Sequence, residues 1–333
     1  MPEVIKKSTM PKVTVLMAVY NAADFLPESL GSLLRQTHRD LQIVCIDDAS
    51  TDQSLKLLKE YAARDSRIEV LCLDENHGQA YARNQGLQQA RGELTCMLDA
   101  DDWLDDDAIE QAVVRFTDDV DVVLFDVMMD YADRTVHYDM PQPARMSGEQ
   151  AFRLSLTWTI HGLYMVRTAI HQRHPYDTTC RLYSDDNTTR LHYLNARQVA
   201  CCNGVYHYRQ HAASMTHQVS VRRFDYLRAN ESMRSQLIDA GVSRHVLGIY
   251  ESHRWLNLVG VYMFYHVHGH ELPAADCAYG LAELHRVWLS MERDLIPVHF
   301  RRKPGYRMMP TWTLFRIQEW LYFTIRGFFG KNE

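Results

Sequence analysis

Asp99-Ala100-Asp101-Asp102-Trp103 follows directly on the apolar run Leu94-Thr95-Cys96-Met97-Leu98. A short buried-strand pattern therefore delivers three carboxylates onto the loop behind it. Two unit charges about 4 Å apart repel by roughly 1 kcal/mol in bulk water and about 4 kcal/mol at an effective dielectric near 20. Such a cluster favours a cation. The donors in the loop are hard oxygens, without Cys or His among them, which selects Mg²⁺ or Mn²⁺ over zinc. These ions take one or two carboxylates and complete their shell with water and substrate phosphates. Asp105, Asp106 and Asp107 extend the negative charge but have their own explanation. They precede a helical pattern over residues 108–116, where carboxylates accept orphan amides and suit the helix dipole. A second acidic group, Tyr183-Ser184-Asp185-Asp186-Asn187, precedes a helix-like run over 188–195, so capping competes there with chemistry.

The elements around these clusters alternate. Residues 13–19 are a buried strand closed by Tyr20-Asn21, and 24–36 an amphipathic helix with Phe25, Leu26, Leu30, Leu33 and Leu34 on one face. Residues 41–46 form the next strand, ending on Asp47-Asp48-Ala49-Ser50, and Asp52 caps a helix over 53–63. A strand at 68–73, a helix at 78–90, a strand at 94–98, a helix at 108–116 and a strand at 120–125 continue the pattern. Such alternation predicts an α/β fold with a mostly parallel sheet flanked by helices. Open sheets of this kind bind ligands beyond the carboxyl ends of their strands. Tyr20-Asn21, Asp47-Asp48, Asn76 and the Asp99 loop all fall on that rim, and Arg83, on the third helix, is within reach of a diphosphate there. Four polar strand ends on one rim describe a site.

Neither Gly-x-Gly nor Gly-x-x-x-x-Gly-Lys occurs, which removes the dinucleotide fingerprint and the P-loop. Phosphate would be held through a metal ion and side chains. The net charge of −6 excludes a dedicated nucleic-acid binder, which needs a basic face. Seven Cys, an odd number without metal-type spacing, read as reduced thiols of a cytoplasmic protein. Residues 1–10 have no apolar core of signal-peptide type, and no run reaches the roughly 18–20 apolar residues of a membrane span.

The stretches Val15-Leu16-Met17-Ala18-Val19-Tyr20-Asn21, Ile46-Asp47-Asp48-Ala49-Ser50-Thr51-Asp52, Asn76-His77-Gly78 with Ala82-Arg83-Asn84, and Leu98-Asp99-Ala100-Asp101-Asp102-Trp103 resemble, in order, the motifs of family 2 glycosyltransferases. The resemblance covers about the first third of the chain. It implies the GT-A fold and an inverting transfer from a nucleotide-diphosphate sugar, often UDP-linked, with Mn²⁺ or Mg²⁺. Asp48 would then face the base, with Ala18, Tyr20, Asn21 and Asp47 around the nucleoside. Asn76, Gly78 and Arg83 complete that side, Asp99 and Ala100 lie by the ribose and donor sugar, and Asp101 with Asp102 holds the metal. Ala49 stands where the family often has Gly, and Ala18 where it often has Pro.

Further along, Trp158-Thr159-Ile160-His161-Gly162-Leu163-Tyr164 resembles the family's acceptor-side strand, with His161 in place of a frequent basic residue. Trp158 reads either as a core residue or as a platform for a sugar ring. The resemblance assigns the catalytic base to Asp186, with Asp185 where Glu is commoner. Tyr206-His207-Tyr208-Arg209-Gln210-His211 resembles the loop closing the catalytic domain, which would bring Arg209 to phosphate and His211 to the metal.

After residue 220 the pattern turns helical, over 221–239, 242–268, 274–291 and 312–329, with a basic stretch Arg301-Arg302-Lys303. The last helix places Leu314, Ile317, Leu321, Ile325 and Phe328 on one face, bordered by Trp312, Trp320, Phe323, Arg326 and Lys331. That face suits packing on the catalytic domain, binding to an anionic membrane surface, or a homodimer contact. The expected organisation is a catalytic domain over 1–219, with a donor half at about 11–125 and an acceptor and base half at 126–219, then a helical C-terminal region over 220–333. The expected reaction moves a sugar to a hydroxyl of a glycan or lipid-linked acceptor, as in bacterial-type surface polysaccharide synthesis. The setting is cytoplasmic, with peripheral attachment to the inner face of the membrane. A sugar-nucleotide nucleotidyltransferase and a non-catalytic glycan-binding protein are the alternatives.

Overall fold

Seven consecutive buried or nearly buried residues in Val13–Val19 (β1) and again in Leu41–Asp47 (β2) make strands covered on both faces, the burial expected of a parallel sheet. The computed structural model describes residues 13–180, 183, 185–210, 219–298 and 305–330. In chain order β1 and β2 are joined by α1 (Leu26–Arg35) and followed by α2 (Ser54–Arg64), β3 (Ile68–Cys72), α3 (Gln79–Leu87) and β4 (Leu94–Met97). Next come β5 (Trp103–Leu104), α4 (Ala108–Val113), β6 (Val120–Asp130), β7 (Thr135–His137), β8 (Met146–Ser147), α5 (Gly148–Ser155), β9 (Tyr164–Arg167), α6 (Thr168–Arg173), α7 (Asp185–Asn195) and β10 (Gln198–Arg209). The helical remainder is α8 (Asp225–Asp239), α9 (Arg244–His268), α10 (Ala274–Leu289) and α11 (Trp312–Phe328).

The strands form one ten-stranded sheet in the order β3-β2-β1-β4-β9-β6-β10-β5, with β7 beside β6 and β8 beside β10. The β3-β2-β1-β4 block is parallel, and β6 and β10 pair parallel. Strand β9 runs antiparallel between β4 and β6, so the sheet is mixed, with a parallel half from β3 to β4. Val13, Val15, Met17, Leu30, Leu33, Ile43 and Phe125 lie in the main core of this sheet and its helices.

Three local readings change. Strand β6 continues five residues past the expected end because β10 lies alongside it as far as Arg209 opposite Asp130. A register shift between Cys201 and Val205 is tolerated at Gly204, where a Cβ would stand 2.4 Å from the Ala108 carbonyl oxygen. Helix α4 stops at Val113, and no side chain caps it: Asp105 and Asp106 are drawn instead to His207 and Arg35. The stretch from Trp158 to Gly162 is turn and bend, with β9 beginning only at Tyr164.

Among the described residues, one compact unit is drawn from Met1–Tyr176 and Thr188–Ala212, and the other from Asp177–Asn187 and Ala213–Glu333. The second unit is helical, and Phe224, Trp255, Leu258, Leu284, Trp288, Phe315 and Phe323 belong to its core. Helix α11 packs through Phe315, Glu319 and Phe323. The stripe picked out by sequence is the opposite face: Leu314, Ile317, Trp320, Leu321, Ile325 and Phe328 are all exposed, Trp320 at 55% and Ile325 at 59%. No helix among the described residues is long and apolar enough to cross a membrane.

Candidate active site

The rim is built by stapling strand ends to one another. Asn21 ends β1 in the left-handed region (φ 50°), which its short polar side chain tolerates. Its Oδ1 accepts from the Thr51 N–H (2.8 Å), and its own N–H donates to Ser50 Oγ (3.1 Å). Asp52 accepts from the Ala23 N–H at 3.1 Å and the Ser54 N–H at 2.9 Å. Ala49 also has positive φ, 58°, which explains why a Gly is favoured in the resembling motif. Tyr20 is left standing on this edge, half exposed.

The two carboxylates at the end of β2 differ. Asp48 is buried, and its oxygens accept from Asn76 Nδ2 (3.0 Å), the His77 N–H (2.9 Å) and the Gly78 N–H (2.8 Å). It organises the loop that starts α3, where Gly78 takes φ 91°. Asp47 is equally buried, and among the described residues its carboxylate accepts from the Ser50 N–H, at 3.2 Å through Oδ2. Its Oδ1 has no hydrogen-bond partner among the described residues.

The Asp99 loop is clamped from α3 on one side and β10 on the other. Arg83 is 1% exposed, so it is not a solvated helix arginine. Its Nη2 meets Asp99 Oδ1 at 2.6 Å, where Gln79 Nε2 also donates at 3.0 Å, and its guanidinium lies over the Tyr176 ring. Asp102 is buried. Its Oδ1 accepts from the Arg209 N–H (2.8 Å) and its Oδ2 from the Tyr206 hydroxyl (2.8 Å). Burial, with repulsion from Asp99 and Asp101 behind it, pushes Asp102 well above the usual carboxylate range. Tyr206 also accepts from the Asp99 N–H at 3.2 Å, and burial raises its phenol. Arg209 Nε donates to the Asp101 carbonyl (2.7 Å), its Nη2 pairs with Glu28, and it stacks 4.5 Å over Trp103. Ala100 is buried, and Asp101 is half-buried.

Asp102 latches the loop to β10, and Asp101 and Asp99 carry the hard oxygens that could hold a divalent ion there. Among the described residues no three His, Cys, Asp or Glu side chains form a metal cage. One or two carboxylates fit an ion that completes its shell with substrate phosphate. His211 lies outside the described residues.

Asp185 and Asp186 belong to the second unit and sit half-buried in the first turn of α7. Next to them Asn187 donates through Nδ2 to Asp177 Oδ2 (2.7 Å) and to the Ala229 carbonyl (2.8 Å), which fixes the turn to α8. Sequence reasoning gave no role to Tyr206, Gln79 or Glu28. The signal for Tyr206 was present, since Tyr206 and Tyr208 alternate with His207 and Arg209 at strand period.

The family model "Glycosyl transferase family 2" matches residues 14–185, a little over half of the chain. The poly(ribitol-phosphate) beta-glucosyltransferase of Bacillus spizizenii is 36% identical over 101 residues, 29% of this chain and 16% of that protein. Three other bacterial relatives match over about two fifths of their own length. Among solved structures, S. aureus TarS 1-349 in complex with UDP-GlcNAc superposes with a TM-score of 0.74 at 18% identity, covering 96% of this chain and 92% of that one. The mannosyltransferase PcManGT of Pyrobaculum calidifontis, in complex with GDP-Man and Mn²⁺, gives 0.53 at 18% identity, covering 97% and 89%. The structural likeness agrees with the mixed sheet and its helices, and the chain belongs to glycosyl transferase family 2.

Proposed function

We propose that this transferase moves a sugar, with inversion, from a UDP-linked donor to a hydroxyl of a glycan or lipid-linked acceptor in surface polysaccharide synthesis. The observation that carries the donor assignment is Asp47 Oδ1, a buried acceptor without a partner among the described residues at the end of β2. A buried acceptor left unmatched costs about 1–3 kcal/mol. The imide N–H of uracil supplies the missing donor. Asp48, already accepting three hydrogen bonds from the 76–78 loop, supports that loop.

The acceptor hydroxyl attacks the anomeric carbon as the bond from that carbon to the β-phosphate oxygen breaks. UDP departs with the electron pair, and Asp186 takes the hydroxyl proton. A single displacement inverts the anomeric centre. Asp101, with Asp99, would hold Mn²⁺ or Mg²⁺, which offsets the charge of the departing diphosphate. Arg83 and Gln79 hold the Asp99 carboxylate in place.

Product analysis tests the reading. Incubation of the full chain with UDP-sugars, Mn²⁺ and a panel of glycan and lipid-linked acceptors should release UDP. Pyrophosphate release indicates nucleotidyl transfer, and binding without turnover indicates a glycan-binding protein; either outcome sinks the proposal.

The exposed stripe of α11 supports peripheral attachment at the inner face of the cell membrane. Residues 298–331 carry seven Lys and Arg and one Glu, Glu319, which is buried, in a chain whose net charge is −6. An apolar face bordered by basic residues suits an anionic lipid surface, whereas pairing two such faces would bring like charges together. The full chain should float with phosphatidylglycerol vesicles but not with phosphatidylcholine. Ile317→Asp with Leu321→Asp, both at exposed positions, should abolish flotation. A full chain that stays at the bottom with both lipids, or that forms dimers lost in the double variant, makes the stripe a protein contact instead.

A further inference from the structure

We infer that Trp158 is the stacking platform of an acceptor subsite for a pyranose ring, an inference that rests on the transferase reading above. Helix α5 ends in a paired hydrogen-bond pattern. The Thr159 N–H donates to the Leu154 carbonyl at 3.1 Å, and the Trp158 N–H to the Ser155 carbonyl at 3.2 Å. This is the Schellman arrangement, and it puts Trp158 at the position just past the helix where the chain must turn left-handed and glycine is the usual residue. Trp158 adopts φ 55°. A bulky aromatic residue in that region is a true outlier, because its Cβ crowds the following carbonyl.

Full burial does not account for the choice. The residue is 43% exposed, so it is not the core tryptophan that hydrophobicity alone suggests. The turn is nevertheless held firmly. The Trp158 carbonyl accepts from the Tyr138 hydroxyl, and the Tyr138 ring meets His161 edge-on at 5.4 Å. The Arg190 guanidinium lies 5.9 Å from the centre of the indole and backs it. An aromatic surface kept rigid, strained and accessible is what a stacking site needs, and strain of this kind gathers at ligand sites.

Its place in the sheet says which ligand. Strand β9 runs antiparallel between β4 and β6, with Met165 opposite Cys96 and Tyr164 opposite Leu124. The residues leading into Tyr164 therefore emerge at the edge where β4 releases the Asp99 loop. On that edge the strands carrying Tyr20 and Asp47 lie to one side of β4, and the Trp158 turn lies to the other. The donor nucleoside belongs to the first side, which leaves Trp158 for the acceptor. A pyranose presents a face of axial C–H bonds, electropositive at hydrogen, that matches the electronegative face of an indole. An open-chain polyol has no such face.

Fluorine NMR of the full chain labelled with 5-fluorotryptophan gives one signal for each of its six Trp residues, and loss of a signal in Trp158→Phe assigns that of Trp158. The probes are methyl β-D-glucopyranoside, methyl N-acetyl-β-D-glucosaminide, ribitol, and UDP with Mn²⁺. The Trp158 signal should shift saturably with at least one pyranoside and stay still with ribitol and with UDP. Trp158→Ala should weaken that pyranoside by about tenfold, and Trp158→Phe should keep most of the affinity. No shift with either pyranoside overturns the platform, and so does equal sugar affinity in Trp158→Ala. A shift with UDP alone assigns the indole to the donor side and overturns it as well. The wild-type UDP arm stands apart: a chain that fails to bind UDP refutes the UDP-donor reading, while the pyranoside arm still decides Trp158.

Discussion

Replacing Asp186 by Asn should lower kcat by about 10²–10⁴-fold, the usual worth of a general base, or roughly 3–5 kcal/mol of barrier. A hydroxyl is a poor nucleophile, and the proton it loses must go to a group on the side away from the departing diphosphate. In the proposed mechanism the carboxylates of the Asp99 loop go with the leaving group, and Asp99 is held by Arg83 and Asp102 by Tyr206 and the Arg209 amide. Asp186 comes from a separate stretch in the first turn of α7. Asn keeps its size and its capacity to accept from the helix terminus but takes no proton. UDP affinity in Mn²⁺ should stay near wild type, so the loss appears in kcat and not in donor binding. Turnover retained in Asp186→Asn but abolished in Asp185→Asn moves the base to the neighbour. If neither substitution slows transfer, the mechanism is wrong.

Chelation, or Asp101→Asn, should weaken UDP binding by at least the about 10–100-fold that loss of even an outer-shell partner takes from a metal site. The reason is charge: a diphosphate approaching three loop carboxylates is repelled unless a cation lies between them. Asp101→Asn is near-isosteric and leaves the backbone carbonyl that accepts from Arg209 in place, so its effect should fall on UDP binding more than on the melting temperature. Asp102 should behave in the opposite way. Asp102→Ala removes the acceptor of the Arg209 amide and of the buried Tyr206 hydroxyl and should destabilise by about 1–3 kcal/mol. Asp102→Asn keeps an acceptor for the amide and relieves the repulsion from Asp99 and Asp101, so it should retain most of the stability. Calorimetric titration with UDP and thermal melts of the three variants separate the roles. Equal UDP affinity with and without chelator would remove the metal from the reading.

The sequence by itself determined the parallel half of the sheet. Strands β1, β2 and β4 are short apolar runs buried on both faces, and β3, half-buried, continues the same alternation with amphipathic helices. It also placed the polar rim, because each motif residue follows its strand within a few positions and strand ends in such a sheet share one edge. Helices α8 to α11 were legible for the same reason, their apolar period being long and uninterrupted.

Only the tertiary structure decided what each carboxylate does. Asp47 and Asp48 are adjacent and identical in type, yet Asp48 accepts from the 76–78 loop and Asp47 keeps an oxygen unmatched among the described residues, a distinction set by residues about thirty positions away. The Asp102 carboxylate is likewise fixed by Tyr206 and the Arg209 amide, more than a hundred positions later in the chain. The stripe on α11 gives the reverse lesson. Periodicity picked out Leu314, Ile317, Leu321, Ile325 and Phe328, all exposed, but Phe323, read as part of their border, is buried, because what is covered depends on which residues of that helix, Phe315, Glu319 and Phe323, the core accepts. Local pattern fixes elements and their ends because those depend on neighbours in the chain. Hydrogen-bond partners across the sheet depend on register and order of strands, which no short stretch of sequence contains.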